Sequence, residues 1–403
     1  MKRWSIAVIL FGLSGLTACA SSSGSGFGPP ENLARPATPS GGGSLGPVLT
    51  TSDGGQIFGF DTDQSGTDGV LASIGATKIS VQTFDSTTGK ITRTFGAITG
   101  KRVAKGNDYV VDGIFAGDVG LVDYQKAGIP GQTPAKDRYR VLGPVTKQHF
   151  TARWKPPVKL FNVLSWAPNQ STKMSVLFGY QREGSDSPKL LVSDVAKDSF
   201  GMVIALDPNQ FSLGTQPQLA QDTVKDRAVM ASSPSYGAAG GPPPVISQID
   251  LKSGKVRSQF SGVDCPGLER CGYANGIAYD SATGIACTTT ELDAGVEFYK
   301  VAKQTGFREA MPNEASQLNA GGYVANDPVH QLFLIAQPFS STSGSGSSIQ
   351  VYAENGDFVE SIDGFDFTDA GFLVIPIRIS INPNSRTGWV NGPGGDQLQE
   401  FSY

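Results

Sequence analysis

The sequence predicts an all-β chain folded as a β-propeller, seven-bladed by its length, with six or eight blades also compatible. Three observations carry this. Short apolar-alternating runs recur along the chain and long helical periodicity is scarce. The 51 glycines and 25 prolines among 403 residues punctuate it with turns. Two kinds of strand pair alternate, and consecutive composite units begin at 275 and 321, 46 residues apart. That spacing matches the ~40–50 residue period of propeller blades.

The first kind of pair is an apolar alternation, an Asp, Asn or Pro turn, and a second apolar strand. It occurs as NGIAYDSATGIACTTTE (275–291), GGYVANDPVHQLFLIAQP (321–338) and RISINPNSRTGWVNG (378–392), and more loosely as NVLSWAPNQSTKMSVLFGY (162–180). The second kind is a strand, a turn ending in Gly, and a more polar strand. Examples are ISVQTFDSTTGKITRTF (79–95), VISQIDLKSGKVRSQF (245–260) and SIQVYAENGDFVESI (348–362), with VEFYKVAKQTGFREA (296–310) as a variant. The turn glycines suit positive φ. Joined in order, the two kinds make four-stranded units at 275–310 and 321–362.

These units resemble the degenerate blades of YVTN- and NHL-type β-propellers. The resemblance is clear over about 245–403 and weaker over 52–244, where 214–244 reads as an elaborated loop around a strand near 228–233. Near the C-terminus three strands are expected, at 378–381, 387–391 and 397–401. That leaves a blade one strand short, and QIFGF (56–60) is the expected fourth strand, closing N- and C-terminal ends together and hiding two sheet edges. The alternative is two β-sandwich domains split near 214–244.

The first residues place Lys2 and Arg3 ahead of an apolar run, Trp4 to Leu13, followed by small residues and Cys19. This is the order of a secretory signal. The run is short of the ~20 residues of a membrane span. Leu16-Thr17-Ala18-Cys19 resembles the lipobox of bacterial lipoproteins, which implies a signal peptide over 1–18 and lipid, palmitate included, on Cys19. The alternative is an ordinary cut after Ala18-Cys19-Ala20. Ala20 in place of aspartate implies, by the same resemblance, an outer-membrane rather than inner-membrane lipoprotein facing the periplasm or cell surface. Residues 19–51 are rich in Ser, Gly and Pro and read as a flexible tether with a reach of roughly 30 Å. Residues 52–403 are then the propeller domain.

The net charge of −4 has no run of either sign, so no nucleic-acid footprint is present. Cys265 and Cys271 flank a short Pro-Gly loop and are expected to form a disulfide in an oxidising compartment. Cys287 reads as a buried small residue. His149 and His330 fall in different units without a catalytic signature, and His330 reads as solvent-facing. GAITGK (96–101) lacks the spacing of a phosphate-binding loop.

The most suggestive cluster is FGFDTDQSGTDGVLAS (58–73). Asp61, Asp63, Ser65 and Asp68 alternate around Gly66 in the way a calcium loop presents its oxygens. Position 12 of that pattern is Ala72 instead of Glu, and the same residues make plain turns. Asn275, Glu291, Asn326 and Asn382 are candidates for convergence at the channel mouth. The expected function is a non-enzymatic binding or scaffold module of the cell envelope, holding an envelope protein or polymer. No resident cofactor is expected unless calcium is bound. The alternative is a calcium-dependent lactonase- or esterase-like hydrolase.

Overall fold

The computed structural model describes residues 42–403, except 52–53, 65, 75–77, 100–107, 117–118, 127–136, 143–149, 155–159, 184, 195–198, 209, 212–216, 234–242, 264–273, 291–294, 311–322, 338–346, 366–377 and 392–395. Calls on residues 1–18, Cys19, Ser65, His149, Cys265, Cys271 and Glu291 therefore lie outside the described residues.

The chain is an all-β propeller. Among the described residues the strands form seven four-stranded antiparallel sheets. The N-terminal strand, β1 (Ser44–Thr50), belongs to the last sheet. Sheet 1 is β2 (Gln56–Thr62), β3 (Asp68–Ile74), β4 (Lys78–Asp85) and β5 (Lys90–Thr99). Sheet 2 is β6 (Asp108–Ala116), β7 (Val119–Lys126), β8 (Asp137–Leu142) and β9 (Phe150–Trp154). Sheet 3 is β10 (Leu160–Asn169), β11 (Met174–Glu183), β12 (Ser185–Asp194) and β13 (Ser199–Ala205). Sheet 4 is β14 (Gln218–Asp222), β15 (Arg227–Ser232), β16 (Val245–Asp250) and β17 (Val256–Ser261).

Sheet 5 is β18 (Ala274–Asp280), β19 (Ile285–Thr290), β20 (Gly295–Lys300) and β21 (Thr305–Ala310). Sheet 6 is β22 (Tyr323–Asp327), β23 (Leu332–Gln337), β24 (Ser347–Ala353) and β25 (Phe358–Phe365). Sheet 7 is β26 (Ile379–Asn382), β27 (Thr387–Asn391) and β28 (Gln397–Ser402), with β1 as its outermost strand. The first strands of neighbouring sheets touch in chain order, and β26 also touches β2. Separate β-sandwiches split near 214–244 are thus not what the chain forms, because β14 packs against β10 and continues the series.

Two expectations about the N-terminal region are corrected. The strand that completes sheet 7 is Ser44–Thr50, whereas QIFGF belongs to β2 and pairs with β3. The tether assigned to 19–51 therefore gives way to folded chain at Ser44. Composition concealed this strand, since SLGPVLT is short and mostly exposed. What holds it is the unpaired edge of β28, which supplies hydrogen-bond partners, and Leu49, 1% exposed among Ile57, Leu71 and Leu398. Pro47 falls at a register irregularity between Leu45 and Val48, where an edge strand tolerates a missing donor.

Core side chains lie mainly between sheets. Successive strand residues face opposite neighbours: Leu219 joins a cluster with Phe178 and Tyr180 of sheet 3, whereas Ala220 joins one with Ile277 and Tyr299 of sheet 5. Between sheets 7 and 1, Trp389 is 1% exposed and meets Phe84 edge-on at 5.5 Å, and its Nε1 donates to the Ser86 carbonyl at 3.0 Å.

Gly89 closes the turn beneath that tryptophan at φ +66°, and a Cβ there would stand 3.0 Å from the Trp389 ring. Gly89→Ala is expected to lower stability by about 1–2 kcal/mol, the cost of a left-handed backbone for an L side chain. An unchanged urea midpoint would contradict this.

The two rims of the propeller differ. At one rim the first and second strands join through tight turns such as 281–284 and 328–331. At the other, successive sheets are joined by long connections in sequence, as between Ser261 and Ala274, Ala310 and Tyr323, and Phe365 and Ile379.

Candidate functional site

The first strands surround a channel with a volume of about 780 Å³. Its wall includes Phe60 and Asp61 of β2, Ser165 to Asn169 of β10, Gln218 to Gln221 of β14, Gly276 to Asp280 of β18, Tyr323 to Asn326 of β22 and Arg378 to Ile381 at β26. The polar groups at its tight-turn mouth are built from one local device, repeated from sheet to sheet.

Five of the first strands end on Asn or Asp: Asn169, Asp222, Asp280, Asp327 and Asn382. A side-chain oxygen at this position can accept from backbone N–H groups two and three residues on, forming an Asx turn. Asp222 Oδ1 accepts from Val224 and Lys225 at 3.1 and 3.0 Å, and Asp327 Oδ1 from Val329 and His330 at 2.9 and 3.0 Å. Asp280 does so from Ala282 and Thr283, and Asn382 from Asn384 and Ser385. The residue four positions on then takes a left-handed φ, between +49° and +78° at Lys173, Asp226, Gly284, Gln331 and Arg386.

Four of the five turns are locked by a second hydrogen bond. The backbone N–H following the third strand donates to the carbonyl of the left-handed residue: Leu251 to Asp226, Val301 to Gly284, Glu354 to Gln331 and Tyr403 to Arg386. These four residues thus occupy equivalent places, and their side chains meet the preceding sheet. Leu251 packs with sheet 3, whose turn residue is the neutral Asn169. Val301 packs with sheet 4, whose buried Asp222 takes the Tyr279 hydroxyl at 3.4 Å. Tyr403 donates its hydroxyl to Asp327 Oδ2 at 2.9 Å. Glu354 meets Asp280.

The three buried turn carboxylates meet different partners: Asp222 the Tyr279 hydroxyl, Asp327 the Tyr403 hydroxyl and Asp280 the Glu354 carboxyl. Desolvation and the nearby carboxylates Asp222 and Asp327 push the Tyr279 and Tyr403 hydroxyls well above the usual phenol range, so both stay protonated and donate. Glu354 is a carboxyl facing a carboxylate. Burial first, then Asp280, pushes it up to about 9. Asp280 Oδ2 and both Glu354 oxygens are buried without a hydrogen-bond partner, and the nearby Thr283 hydroxyl opposes the shift only in part. A proton on Glu354 turns that repulsion into an O–H donor aimed at Asp280.

His330 corrects the solvent-facing expectation: its Nδ1 is 2.8 Å from Asp327 Oδ2, beside the Tyr403 hydroxyl. Cys287 is buried as expected, and burial, with Glu297 and Glu354 nearby, raises its thiol well above the ordinary range.

Of the calcium candidates, Asp63 lies near Asp68, whereas Asp61 is engaged with sheet 7. Asp61 Oδ1 accepts from the Ser380 hydroxyl of sheet 7 at 2.7 Å and from the Thr62 N–H at 2.9 Å. The Asp63 N–H closes the local turn on the Asp68 carbonyl at 2.8 Å. Burial, with Asp63 and Asp85 nearby, raises the Asp68 carboxyl. Among the described residues no group of three or more His, Cys, Asp or Glu side chains is placed to hold a metal ion.

Of the four proposed channel-mouth residues, Asn275, Asn326 and Asn382 are described, and these three do not converge. Asn275 lies near the start of β18 and Asn382 ends β26, at opposite ends of the first strands. The Asn326 amide lines the channel and donates to the Leu332 carbonyl at 3.4 Å, while the Asn382 amide donates to the Gly66 carbonyl of sheet 1 at 3.1 Å. Sequence reasoning missed Tyr403, Glu354 and Gln170. The Gln170 amide accepts from the Gln64 N–H at 2.9 Å and donates to the Thr62 carbonyl at 3.0 Å, joining sheets 3 and 1. The recurring Asx turn was legible, but its partner on the next sheet was not.

No family model matches this sequence, and no curated protein matches it. Solved structures do match in fold. The Cps50 (Swd1) β-propeller domain of Myceliophteria thermophila aligns with a TM-score of 0.53 at 8% identity, covering 90% of this chain and 99% of that one. U3-55K aligns with a TM-score of 0.59 at 11% identity, covering 89% and 98%. The WD40 repeats of RRP9 align with a TM-score of 0.57 at 10% identity, covering 88% and 96%. At such identities the likeness concerns architecture, and by it the chain is a β-propeller.

Proposed function

We propose that the protein is a lipid-anchored envelope scaffold: a seven-bladed propeller of YVTN/NHL-like repeats, closed by its N- and C-terminal strands, that binds a protein or polymer through its surface. In this reading residues 1–18 are the export signal, Cys19 carries the lipid at the outer membrane, and Cys265 and Cys271 form a disulfide. Closure is supported by the pairing of β1 with β28 and the contact of β26 with β2.

The observation that carries the binding function is the fate of the channel's polar groups. Asp61, a calcium-loop candidate, and Asn382, a hydrolase candidate, are engaged by Ser380, Thr62 and Gly66 in local and inter-sheet hydrogen bonds. Recognition is thereby left to surface and loops, and the rim with the long connections offers the greater variety of side chains. Among the described residues no helix is long and apolar enough to cross a membrane; in this reading the lipid on Cys19 attaches the protein.

Two measurements test this. Cells fed labelled palmitate should yield a labelled protein, and Cys19→Ala should abolish the label; equal labelling of both would refute the anchor. Cross-linking in intact cells followed by purification should return the same envelope component repeatedly, and a chain recovered alone in every preparation would refute the scaffold.

A further inference from the structure

Resting on the lipid-anchor reading of Cys19, we infer that the tight-turn rim of sheets 4 to 6 is a docking face for an anionic membrane surface. Three observations lead there. The first is where the chain leaves the folded body. Ser44 pairs with Ser402, adjacent to Tyr403, whose N–H bonds to the tight-turn residue Arg386. The Gly43 N–H donates to Glu360 Oε2 of sheet 6 at 2.7 Å. A tether from Cys19 therefore reaches the propeller at this rim and beside this sector.

The second observation is apolar. Val224 and Val329, 69% and 60% exposed, occupy the same position in the Asx turns of sheets 4 and 6, two residues after Asp222 and Asp327. The turn geometry that buries each aspartate points the next-but-one side chain outward. No large apolar side chain among the described residues is more exposed than these two.

The third is charge. Lys225, Lys252, Lys255 and Lys303 are exposed on the turns of sheets 4 and 5, between and around the two valines. Lys252 pairs with Asp226 at 2.9 Å. Asp222, Asp280 and Asp327 are buried, while the Asp226 side chain is 38% exposed and offsets Lys252, and Asp357 is exposed on the turn of sheet 6. Lysines ringing isolated apolar tips suit a surface of anionic headgroups over acyl chains. The rim with the long connections then points away from the membrane, toward partners.

The test uses the mature chain carrying Cys19→Ser, so that no acyl group attaches it. Mixed with vesicles of phosphatidylcholine with and without phosphatidylglycerol, it should sediment with the anionic vesicles and release as salt rises. Lys225→Glu and Lys303→Glu should each weaken binding about fivefold or more, near the ~1 kcal/mol contributed per surface lysine. Val224→Ser with Val329→Ser should weaken it further, with thermal melts unchanged because the side chains are exposed. Failure to bind anionic vesicles, or binding that these variants leave intact, overturns the docking face. Palmitate labelling at Cys19 would stand or fall separately.

Discussion

Replacing Asp327 with alanine is expected to lower stability by about 3–4 kcal/mol. One buried carboxylate serves four donors: the Val329 and His330 N–H groups through Oδ1, and the Tyr403 hydroxyl and His330 ring through Oδ2. Alanine removes the turn cap and leaves the Tyr403 hydroxyl buried without an acceptor, and each such loss costs about 1–3 kcal/mol. Asp327→Asn keeps a capping oxygen and should cost less. Tyr403→Phe alone should be destabilising, but the double variant Asp327→Ala/Tyr403→Phe should cost less than the sum, because its second change removes an orphaned donor. Urea denaturation of the four proteins provides the cycle, and strictly additive losses would show that the two sheets are not coupled here.

The Asp280–Glu354 contact should give the propeller a stability that falls as pH rises. Glu354 titrates at 4.5 when unconstrained and is pushed up to about 9 in the fold. The folded chain therefore binds this proton more tightly than the unfolded chain. Its stabilisation is complete below about pH 4.5 and is lost as pH rises through about 9, with a limiting slope of about 1.4 kcal/mol per pH unit for one proton. Besides Asp280, the buried Cys287 thiol lies within electrostatic range of Glu354, while the Thr283 hydroxyl favours the carboxylate.

Glu354→Gln carries a permanent donor in the same shape. The variant should gain stability over the wild type as pH climbs from 5 toward 9, and should show the flatter profile. Parallel urea midpoints across that range would mean that Glu354 is ionised without penalty.

Much of the architecture was legible in sequence because the repeating unit is local. The turns 280–284 and 250–254 and the strands around them follow from alternation and Asx chemistry within about fifteen residues. The C-terminal strands expected at 378–381, 387–391 and 397–401 agree with Ile379–Asn382, Thr387–Asn391 and Gln397–Ser402. The N-terminal partner was misassigned because Ser44–Thr50 has little apolar patterning of its own. Its pairing depends on the free edge of β28, more than three hundred residues away.

The candidate site was less legible, and for the same reason. Asp61, Asp63 and Asp68 look alike in sequence, yet only contact with Ser380 of sheet 7 decides that Asp61 holds a seam. Likewise nothing local distinguishes Leu251, Val301, Glu354 and Tyr403 as occupants of one equivalent place. The sequence by itself determined the strand-and-turn unit and its period, since both arise from short-range backbone preferences and side-chain alternation. Only the tertiary structure decided which strand closes sheet 7, which buried carboxylates receive a donor from the next sheet, and which rim the N-terminal chain approaches. Those outcomes depend on pairing and desolvation between groups that become neighbours only when the sheets assemble.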